Sequence, residues 1–389
     1  MTLFDRTEKS IGIAILGSTG SVGRQALDVV SALRPRFHVV ALAARKLSPA
    51  LIDQIARFRP EIVSVAETPI AAGHSIDNLI TGADGLMAAA THNDAEIVIV
   101  ATSGHMAIGP ILSAIGRGKT IALANKEALV CAGELIVPLA AAHGTWIRPV
   151  DSEHSAIWQA LAGSSIDQVK RIIITASGGP FRSTPERDFA QLTVAQALAH
   201  PTWSMGAKIS VDSATLMNKG LEIVEAHWLF GLPYDRIEVL VHPESVIHSL
   251  VEFVDGGLIA QLGLPDMKVP IQYALTYPDR VPMEDKPSLD LAAIGRLHFE
   301  EPDVTRFPAL RLARDAGLAG RTYPTVLSAA DDEAVTAFLD GVIPFVDVPA
   351  VTESVLECHD AQPVTLESIF AADEWARAAA KNVIAKRRH

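Results

Sequence analysis

Three carboxylates in two separate segments could together bind a metal ion. Asp151 and Glu153 stand two residues apart in PVDSEH, residues 149–154, and on an extended chain their side chains would share a face. Two carboxylates that close repel each other unless a proton or a cation lies between them. Glu222 could be a third oxygen ligand, and such a set suits Mg²⁺ or Mn²⁺ and leaves positions for substrate oxygens. Taken alone, a helix N-cap formed by Asp151 or Ser152 is at least as good an interpretation of this segment.

The segment 208–222, KISVDSATLMNKGLE, predicts a helix that begins near Ser213 and carries a polar face. Such a helix would place Asn218 and Glu222 one turn apart, with Lys219 beside them. Ser213, Asn218 and Lys219, together with the helix N-terminus, would form a phosphate cradle. An ordinary amphipathic helix with a polar outer face remains the alternative.

A predicted strand ends at Ser177 and a glycine pair, which makes this serine a further candidate donor to a phosphate. The stretch that follows, about 178–207, ends in HPTWSMG, residues 200–206. This composition is typical of a lid that closes apolar side chains over a ligand and excludes water. Trp203 as an anchor of the hydrophobic core is the alternative.

A second chemical motif lies near the start of the chain, where IAIL, residues 13–16, runs into GSTGSVG, residues 17–23. A helical pattern follows from Arg24. Strand, glycine loop and helix occur in the order that a pyrophosphate needs, because glycines let the backbone approach and the helix N-terminus supplies amide donors. The spacing is GxxGxxG rather than GxGxxG, so a tight turn without a ligand stays open as an alternative.

The end of the second predicted strand indicates which dinucleotide would bind. NAD-specific proteins usually have an acidic residue there that holds the ribose 2′-hydroxyl. This chain instead has Arg45 and Lys46 after Ala44, and two cations would complement a 2′-phosphate. The pattern therefore favours NADPH, with a solvated basic turn as the alternative.

The framework predicted around these residues is an α/β fold in three parts. Alternating strands and helices over 1–150 predict a Rossmann-like, doubly wound parallel sheet, and a central α+β catalytic domain over 151–277 follows. Five prolines in 278–308 indicate a linker, and Ala-rich periodic segments predict a small C-terminal helical domain over 309–389. The predicted strands are 11–16, 38–43, 61–65, 96–101, 120–124, 145–149, 169–176, 237–241 and 258–262, and the predicted helices are 23–33, 49–58, 109–116, 309–316, 326–339, 348–358 and 365–386.

Composition excludes several classes of protein. The chain has 389 residues, of which 49% are hydrophobic and 20% charged, which is typical of a folded protein of two to three domains. The net charge of −12 argues against a general nucleic-acid binder. Two cysteines, Cys131 and Cys358, cannot form a disulfide framework, and no apolar stretch is long enough for a membrane span or a secretory signal. We therefore expect a cytoplasmic protein that acts on small molecules.

Taken together, these segments resemble one known family. The sequence is similar to the 1-deoxy-D-xylulose 5-phosphate reductoisomerases, the NADPH-dependent enzymes of the methylerythritol phosphate route to isoprenoids. The resemblance runs in collinear order over nearly the whole chain. It is carried by GSTGSVG (17–23), LANKE (123–127), PVDSEH (149–154), SGGPF (177–181), HPTWSMG (200–206), the segment 208–222 and HPESVIHS (242–249).

The resemblance implies a V-shaped homodimer and a role for each matched residue. It implies that 1-deoxy-D-xylulose 5-phosphate rearranges by cleavage and rejoining of a carbon–carbon bond, and that NADPH then reduces the resulting aldehyde to 2-C-methyl-D-erythritol 4-phosphate. Asp151, Glu153 and Glu222 would be the metal ligands and, with Lys126 and His200, the catalytic residues. The implied substrate-binding residues are Lys126, Ser152, Glu153, Ser177, His200, Trp203, Met205, Ser213, Asn218, Lys219 and Glu222. The implied NADPH-binding residues are Gly17, Thr19, Gly20, Ser21, Val22, Ala44, Arg45, Lys46, Asn125, Glu127 and Gly206.

The chain departs from the family pattern in two places. Where Asn-Ala-Ala-Asn-Glu is usual, it has SAADD, residues 328–332, and this affects local contacts of the helical domain. Arg45 and Leu47 stand where a glycine and an asparagine are common, which could alter the affinity for NADPH.

Two other function classes are weighed against this one. An NADP-dependent reductase of the semialdehyde type has a similar glycine loop but needs an activated cysteine nucleophile, for which only Cys131 and Cys358 are available. A non-catalytic, NADPH-sensing regulator would have no need for the three carboxylates.

Overall fold

The computed structural model describes residues 10–67, 76, 78–203, 205–283 and 287–387, and the chain forms two units. The first unit comprises Met1–Asn125, Ile136–Asp151 and Met267–Pro282. The second comprises Lys126–Leu135, Ser152–Asp266 and Met283–His389. Each unit has its own sheet and its own hydrophobic core.

The first unit alternates strands and helices, as its sequence pattern predicts. Its elements are β1 (Ile11–Leu16), α1 (Ser21–Ala32), β2 (Phe37–Ala44), α2 (Pro49–Phe58), β3 (Ile62–Val65), β4 (Leu79–Thr81), α3 (Gly82–Ala90), β5 (Ile97–Val100), α4 (Ile108–Gly116), β6 (Thr120–Leu123), the later part of α5 (Lys126–His143), β7 (Ile147–Pro149) and, much later in the chain, α10 (Lys268–Thr276). Helix α5 is broken at Ala132, where the backbone leaves helical geometry.

Seven strands are described in the first unit, and they form one parallel sheet in the order β4-β3-β2-β1-β5-β6-β7. The strand order reverses direction beside β1, and this is where doubly wound sheets bind ligands at their carboxyl edge. The predicted fold class is confirmed. The short strand β4 lies outside the predicted set, because its three residues include no run of alternating apolar positions long enough to mark it.

The core of the first unit is built from strands that are apolar on both faces. Ile13, Ile15, Val39 and Ile99 are among its buried side chains, and α10 adds Ile271 from a segment more than a hundred residues away. Continuous Val/Ile/Leu-rich runs are expected in parallel strands, because helices cover both faces of the sheet. The helix α10 lies within the predicted catalytic domain, 151–277, so the sequence pattern did not assign it to the core of the first unit.

The second unit has a smaller sheet and most of the long helices. Its elements are the first part of α5, α6 (Ser152–Ala160), β8 (Val169–Ala176), α7 (Val194–Leu198), α8 (Ala207–Thr215), α9 (Met217–Phe230), β9 (Ile237–Val241), β10 (Ile247–Phe253), β11 (Leu258–Leu262), α11 (Leu291–Ile294), α12 (Ala309–Ala319), α13 (Tyr323–Leu339), α14 (Asp347–Glu357) and α15 (Leu366–Arg387). The four strands run in the order β11-β10-β8-β9, with β10 antiparallel to both neighbours and β8 parallel to β9.

One hydrophobic core joins this sheet to the C-terminal helices. Ile172 and Ile174 of β8 belong to the same buried cluster as Leu221 of α9, Val326 of α13 and Ala376 of α15. Because the sheet and the C-terminal helices share this core, it does not separate them, and the division into a central and a C-terminal helical domain stays a prediction. In the part of the chain that the structure describes, no helix is long and apolar enough to cross a membrane.

Candidate active site

The site is built on the first turn of α6, which begins directly after Asp151. Ser152 Oγ donates a hydrogen bond of 2.6 Å to Glu153 Oε2 and fixes this carboxylate at the helix start. Of the two interpretations that the sequence leaves open, a helix start is the one observed, because α6 begins at Ser152 and Glu153 lies in its first turn rather than on an extended chain. An acidic residue in a first turn is stabilised by the unpaired amides and the helix dipole.

The second group of site residues lies on α9, one residue after a helix break. The prediction of a helix starting near Ser213 is wrong: α8 ends at Thr215, Leu216 adopts a left-handed conformation with φ 64°, and α9 begins at Met217. A non-glycine residue in this conformation costs about 1 kcal/mol or more and often marks a functional site. Asn218 and Glu222 nevertheless lie one turn apart, and Asn218 Nδ2 donates to Glu222 Oε1 at 2.5 Å.

Two buried lysines contact the carboxylates of the site. Lys219 Nζ is 2.5 Å from Glu153 Oε1 and 2.6 Å from Glu222 Oε2. Lys126 Nζ, at the start of α5, donates to Asn218 Oδ1 at 2.7 Å and to Glu222 Oε1 at 3.1 Å. Glu222 is fully buried, so its negative charge must be compensated within the protein.

The electrostatics of Lys219 show how strongly the site holds positive charge. Burial by itself would lower the pKa of Lys219, but the carboxylates of Glu153 and Glu222 outweigh it, and the pKa is raised. Lys219 is therefore an ammonium group at neutral pH. A cluster that keeps an ammonium group between its carboxylates is suited to bind anionic and metal-bearing ligands together.

The donor set fits a divalent cation that prefers oxygen. Asp151, Glu153 and Glu222 each offer one carboxylate oxygen, and these oxygens lie within 4.8 Å of one another. Asp151 immediately precedes α6, the helix that carries Glu153, so the backbone keeps these two residues close together. Three carboxylates in such a group suit Mg²⁺ or Mn²⁺ rather than zinc.

A second group of potential ligands shares Asp151 and adds His154 and Glu225. His154 is fully buried, its Nε2 lies 3.0 Å from the carbonyl oxygen of Glu222, and its ring stacks on Phe230. Because this hydrogen bond and the stacked ring hold the imidazole against α9, we assign His154 and Glu225 to positioning that helix. The group with Glu153 is the more accessible of the two.

Ser177 and His200 form a hydrogen-bonded pair. His200 Nδ1 accepts from the amides of Thr202 at 3.1 Å and Trp203 at 2.9 Å, so it carries no proton. Its Nε2–H therefore donates to Ser177 Oγ at 2.9 Å. Burial lowers the pKa of His200, and the charge of Lys219 adds to the effect, so the neutral ring agrees with this geometry. The hydroxyl of Ser177 keeps its own proton for a ligand oxygen.

The turn after Ser177 packs tightly on the end of α8. Gly179 has φ 66°, and a Cβ there would lie 2.6 Å from the carbonyl oxygen of Ser213. Only glycine fits this approach. The turn therefore brings the two serines that the sequence predicts as phosphate donors to neighbouring backbone segments.

The predicted lid is only partly regular. A 3-10 turn, Glu186–Gln191, and the short α7 interrupt it, and Ser204 lies outside the described residues. Trp203 is half-buried, and its ring centroid lies 6.3 Å from that of His248. Met205 is also half-buried, and Gly206 forms the N-cap of α8. The predicted closure of this segment stays a prediction.

In the first unit, the glycine loop has the expected strand, turn and helix. The helix begins at Ser21, earlier than predicted, and Gly20 is its N-cap without a side-chain cap. Gly17 has φ 89°, and a Cβ there would lie 2.4 Å from the carbonyl oxygen of Ala101. Thr19 accepts a hydrogen bond from Arg24 at its carbonyl oxygen. The amides at the N-terminus of α1, from Ser21 and Val22 onward, are therefore the donors offered to a pyrophosphate.

The two cations after Ala44 are not equivalent. Arg45 Nε donates to Glu67 at 2.6 Å, which partly neutralises it. Lys46 is exposed, and it forms no ion pair within the described residues. In the same unit Asn125 is buried and donates to the carbonyl oxygen of Gly104 at 2.9 Å.

Glu127, in the second unit, was also predicted to contact the dinucleotide. Burial raises the pKa of this carboxyl, while Lys208 and Lys126 act in the opposite direction. The structure therefore describes it as part of a charged network of α5 and α8, and its contact with NADPH stays a prediction.

Neither cysteine has the surroundings of a nucleophile. Burial raises the pKa of the Cys131 thiol to about 12, so almost none of it is thiolate at neutral pH. Cys358 is exposed at the end of α14 and is a free thiol. This argues against chemistry of the semialdehyde-reductase type.

Comparison with known proteins identifies the family. Models of three of its domains match the chain: 1-deoxy-D-xylulose 5-phosphate reductoisomerase at 13–133, its C-terminal domain at 147–230, and the DXP reductoisomerase C-terminal domain at 262–379. A 1-deoxy-D-xylulose 5-phosphate reductoisomerase of Thermomicrobium roseum is 52% identical over 379 residues, which cover 97% of this chain and 98% of the relative. The chain belongs to the 1-deoxy-D-xylulose 5-phosphate reductoisomerase family. The corresponding protein of Pelotomaculum thermopropionicum is 51% identical over 94% of this chain and 96% of its own length.

Solved structures of reductoisomerases from this family have the same fold. That of the Zymomonas mobilis protein in complex with NADPH matches with a TM-score of 0.89 at 42% identity and covers 97% of this chain and 99% of its own. A structure of DOX-P reductoisomerase in complex with NADPH, fosmidomycin and magnesium matches with a TM-score of 0.90 at 37% identity, over 96% of this chain and 98% of that one.

Sequence reasoning did not assign roles to three buried histidine and glutamate side chains near the site. His154 and Glu225 follow Glu153 and Glu222 closely in sequence, and the spacing of three between the two α9 glutamates could have indicated a shared helix face. His248 faces Trp203, and burial lowers its pKa. The sequence did not indicate that His248 lies on a strand, because β10 was not predicted.

Proposed function

We propose that the protein is an NADPH-dependent reductoisomerase that converts 1-deoxy-D-xylulose 5-phosphate to 2-C-methyl-D-erythritol 4-phosphate in the methylerythritol phosphate route to isoprenoids. The observation that carries the proposal is the buried group in which Lys219 lies between Glu153 and Glu222 while Lys126 contacts Glu222. Family membership supports it, as do the NADPH and magnesium complexes of related proteins.

The residues of this group have distinct roles in the proposal. Asp151, Glu153 and Glu222 would hold a divalent cation, which when bound supplies positive charge that polarises the substrate carbonyl and favours ionisation of a neighbouring hydroxyl. Lys126 Nζ is fixed by Asn218 and Glu222, so it can donate to a substrate oxygen on which negative charge develops. Both effects favour the enolate that cleavage of the carbon–carbon bond generates.

The substrate phosphate is assigned to the hydroxyls and cations around α8 and α9. Ser177 donates from Oγ because His200 already fills its acceptor side. Ser213, Asn218 and Lys219 complete the cradle, with Lys219 supplying the charge. Ser152 and the lid residues Trp203 and Met205 are assigned to the substrate backbone. Binding energy from the phosphate would then favour closure of the segment over the reacting carbons.

The dinucleotide is assigned to the carboxyl edge of the parallel sheet. NADPH supplies the hydride for the aldehyde formed by the rearrangement. The N-terminus of α1 would take the pyrophosphate, and Lys46 would take the 2′-phosphate with Arg45 in a smaller role. Asn125, Glu127 and Gly206 are further proposed contacts, carried over from the family motifs.

The test is the oxidation of NADPH in the presence of 1-deoxy-D-xylulose 5-phosphate, with Mg²⁺ or Mn²⁺ and after chelation. We expect oxidation that depends on both the sugar phosphate and the divalent cation, and methylerythritol phosphate as product. Oxidation that continues unchanged after chelation would contradict the mechanism. A regulator would bind NADPH without turnover, and a semialdehyde reductase would turn over semialdehydes instead.

We also propose that the protein acts as a cytoplasmic homodimer. Strand β11 is an edge of the second sheet, and its Leu258 and Ile259 are 54% and 47% exposed. An exposed apolar edge strand is a natural site for pairing with the same strand of a second copy about a two-fold axis. The two free cysteines suit a reducing compartment.

Light scattering of the size-fractionated protein tests the dimer. The double variant Leu258→Lys, Ile259→Lys should have the mass of a monomer, because charged side chains block pairing of edge strands. Leu318→Lys changes a 64% exposed leucine elsewhere in the same unit and should leave the dimer intact. A dimer that persists in the double variant would place the interface elsewhere.

A further inference from the structure

A cleft in the first unit lies apart from the glycine loop and is lined by basic side chains. Its volume is about 440 Å³, a size typical of small-molecule sites. Ile11, Ile97 and Thr120, at the amino ends of β1, β5 and β6, contribute to its wall. Because these strands are parallel, the glycine loop that follows β1 lies at the opposite edge of the sheet. The cleft is therefore separate from the proposed dinucleotide site.

Four cations line this cleft, and three of them bind only neutral oxygens. Arg117 donates to the carbonyl oxygen of Thr91 at 3.0 Å, Lys119 to that of Ala95 at 2.6 Å, and Arg148 to that of Ala274 at 2.7 Å. These carbonyls satisfy hydrogen bonds but carry no net charge. Within the described residues, none of the three has a carboxylate at ion-pair distance.

The remaining charges of the cleft only partly compensate these cations. The fourth cation, Arg36, pairs with Asp279 at 3.0 Å, and Glu96 also lines the cleft. Asp94 also acts on Lys119, so four positive and three negative charges leave a balance of +1. One phosphate group carries about 1.5 to 2 negative charges at pH 7, opposite in sign to the charge of the cleft.

The surroundings of the cations indicate that a ligand anion would be favourable here. Burial lowers the pKa of Lys119, and the charge of Arg117 adds to this, whereas Asp94 and Glu96 act against it. Burial also lowers the pKa of Arg148. Among the described residues, the buried Nε–H of Arg148 has no hydrogen-bond partner, and the guanidinium lies 5.6 Å from the ring centre of Tyr277, another lining residue.

We propose that this cleft binds a phosphorylated small molecule, with the phosphate group held by Arg117, Lys119 and Arg148. Guanidinium groups recognise phosphate through paired, charge-assisted hydrogen bonds. The cleft is larger than a phosphate alone, so the rest of the ligand has room beside Tyr277. The site goes beyond the proposed reaction and does not depend on it.

Calorimetric titration of the full-length protein, saturated with NADPH and free of divalent cations, tests the site with inorganic pyrophosphate. Arg117→Gln removes an exposed cation without disturbing the core, and Arg148→Lys keeps the charge but removes the guanidinium fork. We expect each to weaken binding at least about fivefold, because a charge-assisted bond to phosphate is lost. Arg57→Gln, an exposed arginine of the same unit outside the cleft, should bind as the wild type does.

Two further titrations locate and define the ligand. The second unit has its own proposed phosphate cradle, so Ser213→Ala is titrated as well, and binding to the cleft should persist in it. Inorganic phosphate and phenyl phosphate distinguish a free anion from an ester, and tighter binding of the ester is expected. The proposal would be overturned if the wild type did not bind, or if both cleft variants bound as tightly as the wild type. It would also be overturned if Arg57→Gln weakened binding as much as the cleft variants do, or if binding were lost only in Ser213→Ala.

Discussion

Replacing Glu222 by glutamine separates the two groups of potential metal ligands. The change keeps the size of the side chain and an acceptor for Asn218, but it removes the one fully buried charge of the group. Removal of a group that supports a metal ligand typically weakens metal binding 10- to 100-fold. Because Glu222 is itself a proposed ligand, we expect its loss to weaken Mg²⁺ binding about 100-fold or more.

The assay is the gain in unfolding free energy that Mg²⁺ produces. At a concentration one hundred times the dissociation constant, the wild type should gain about 2.7 kcal/mol. With a hundredfold weaker site the same concentration gives Glu222→Gln only about 0.4 kcal/mol. Without metal, Glu222→Gln should also be about 3 kcal/mol less stable, at the lower end for a broken buried ion pair, because Lys219 keeps its bond to Glu153.

The matched control is Glu225→Gln, one helical turn away on α9 and equally buried. It belongs only to the alternative group with His154, so its Mg²⁺-dependent gain should match that of the wild type even if the starting stability falls. The opposite pattern, with the gain kept in Glu222→Gln and lost in Glu225→Gln, would refute our choice of ligands.

Three other predictions concern the cofactor, the thiols and the pH response. Lys46→Gln should raise the KM for NADPH about tenfold and leave the KM for NADH unchanged. Arg45 is already paired with Glu67, so Arg45→Gln should change the KM for NADPH less than threefold. Equal effects of the two substitutions would contradict the assignment. Replacing Cys131 and Cys358 by alanine should leave the NADPH-oxidation rate intact, and loss of the chemical step would favour a cysteine nucleophile. Because burial lowers the pKa of His200 below its ordinary 6.5, the unfolded chain takes up protons first as the pH falls. Its contribution to stability is thus complete above about pH 6.5 and declines below it, so unfolding free energies at pH 7.5 and 5.5 should differ more in the wild type than in His200→Gln.

The parallel sheet could be predicted because each of its longer strands is apolar on both faces. Residues 11–16 show this: the pattern IGIAIL is almost entirely buried, and β1 has the predicted bounds. Strand β10 was missed because His248 and Ser249 interrupt its apolar run, although both are buried. Their polar groups are tolerated inside the second unit, which local sequence patterns do not indicate.

The sequence predicted which residues belong to the site better than it predicted how they are arranged. Asn218 and Glu222 contact each other because residues four positions apart lie on the same face of a helix, wherever that helix begins. The start itself was wrong, because Leu216 takes a left-handed conformation that nothing in its residue type indicates. The contact of Lys126 with Glu222 joins residues 96 positions apart, so only the folded chain or the family resemblance could reveal it.

The departure from the family pattern at 328–332 reaches further than its sequence position suggested. Asp331 and Asp332 lie 3.2 Å and 3.3 Å from Lys208 Nζ, and Asp212 of α8 lies 2.6 Å from the same ammonium. Burial raises the pKa values of Asp212 and Asp331, and Lys208 opposes this effect for both. The charge of Asp331 adds to the rise for Asp212, and the charge of Asp332 adds to it for Asp331.

An asparagine at position 331 would bond to Lys208 without this repulsion. The aspartate instead ties α13 by charge to α8, the helix that begins at Ala207 and directly follows the proposed lid. The substitution therefore bears on how firmly the end of the lid is anchored. Its effect cannot be confined to the C-terminal helices.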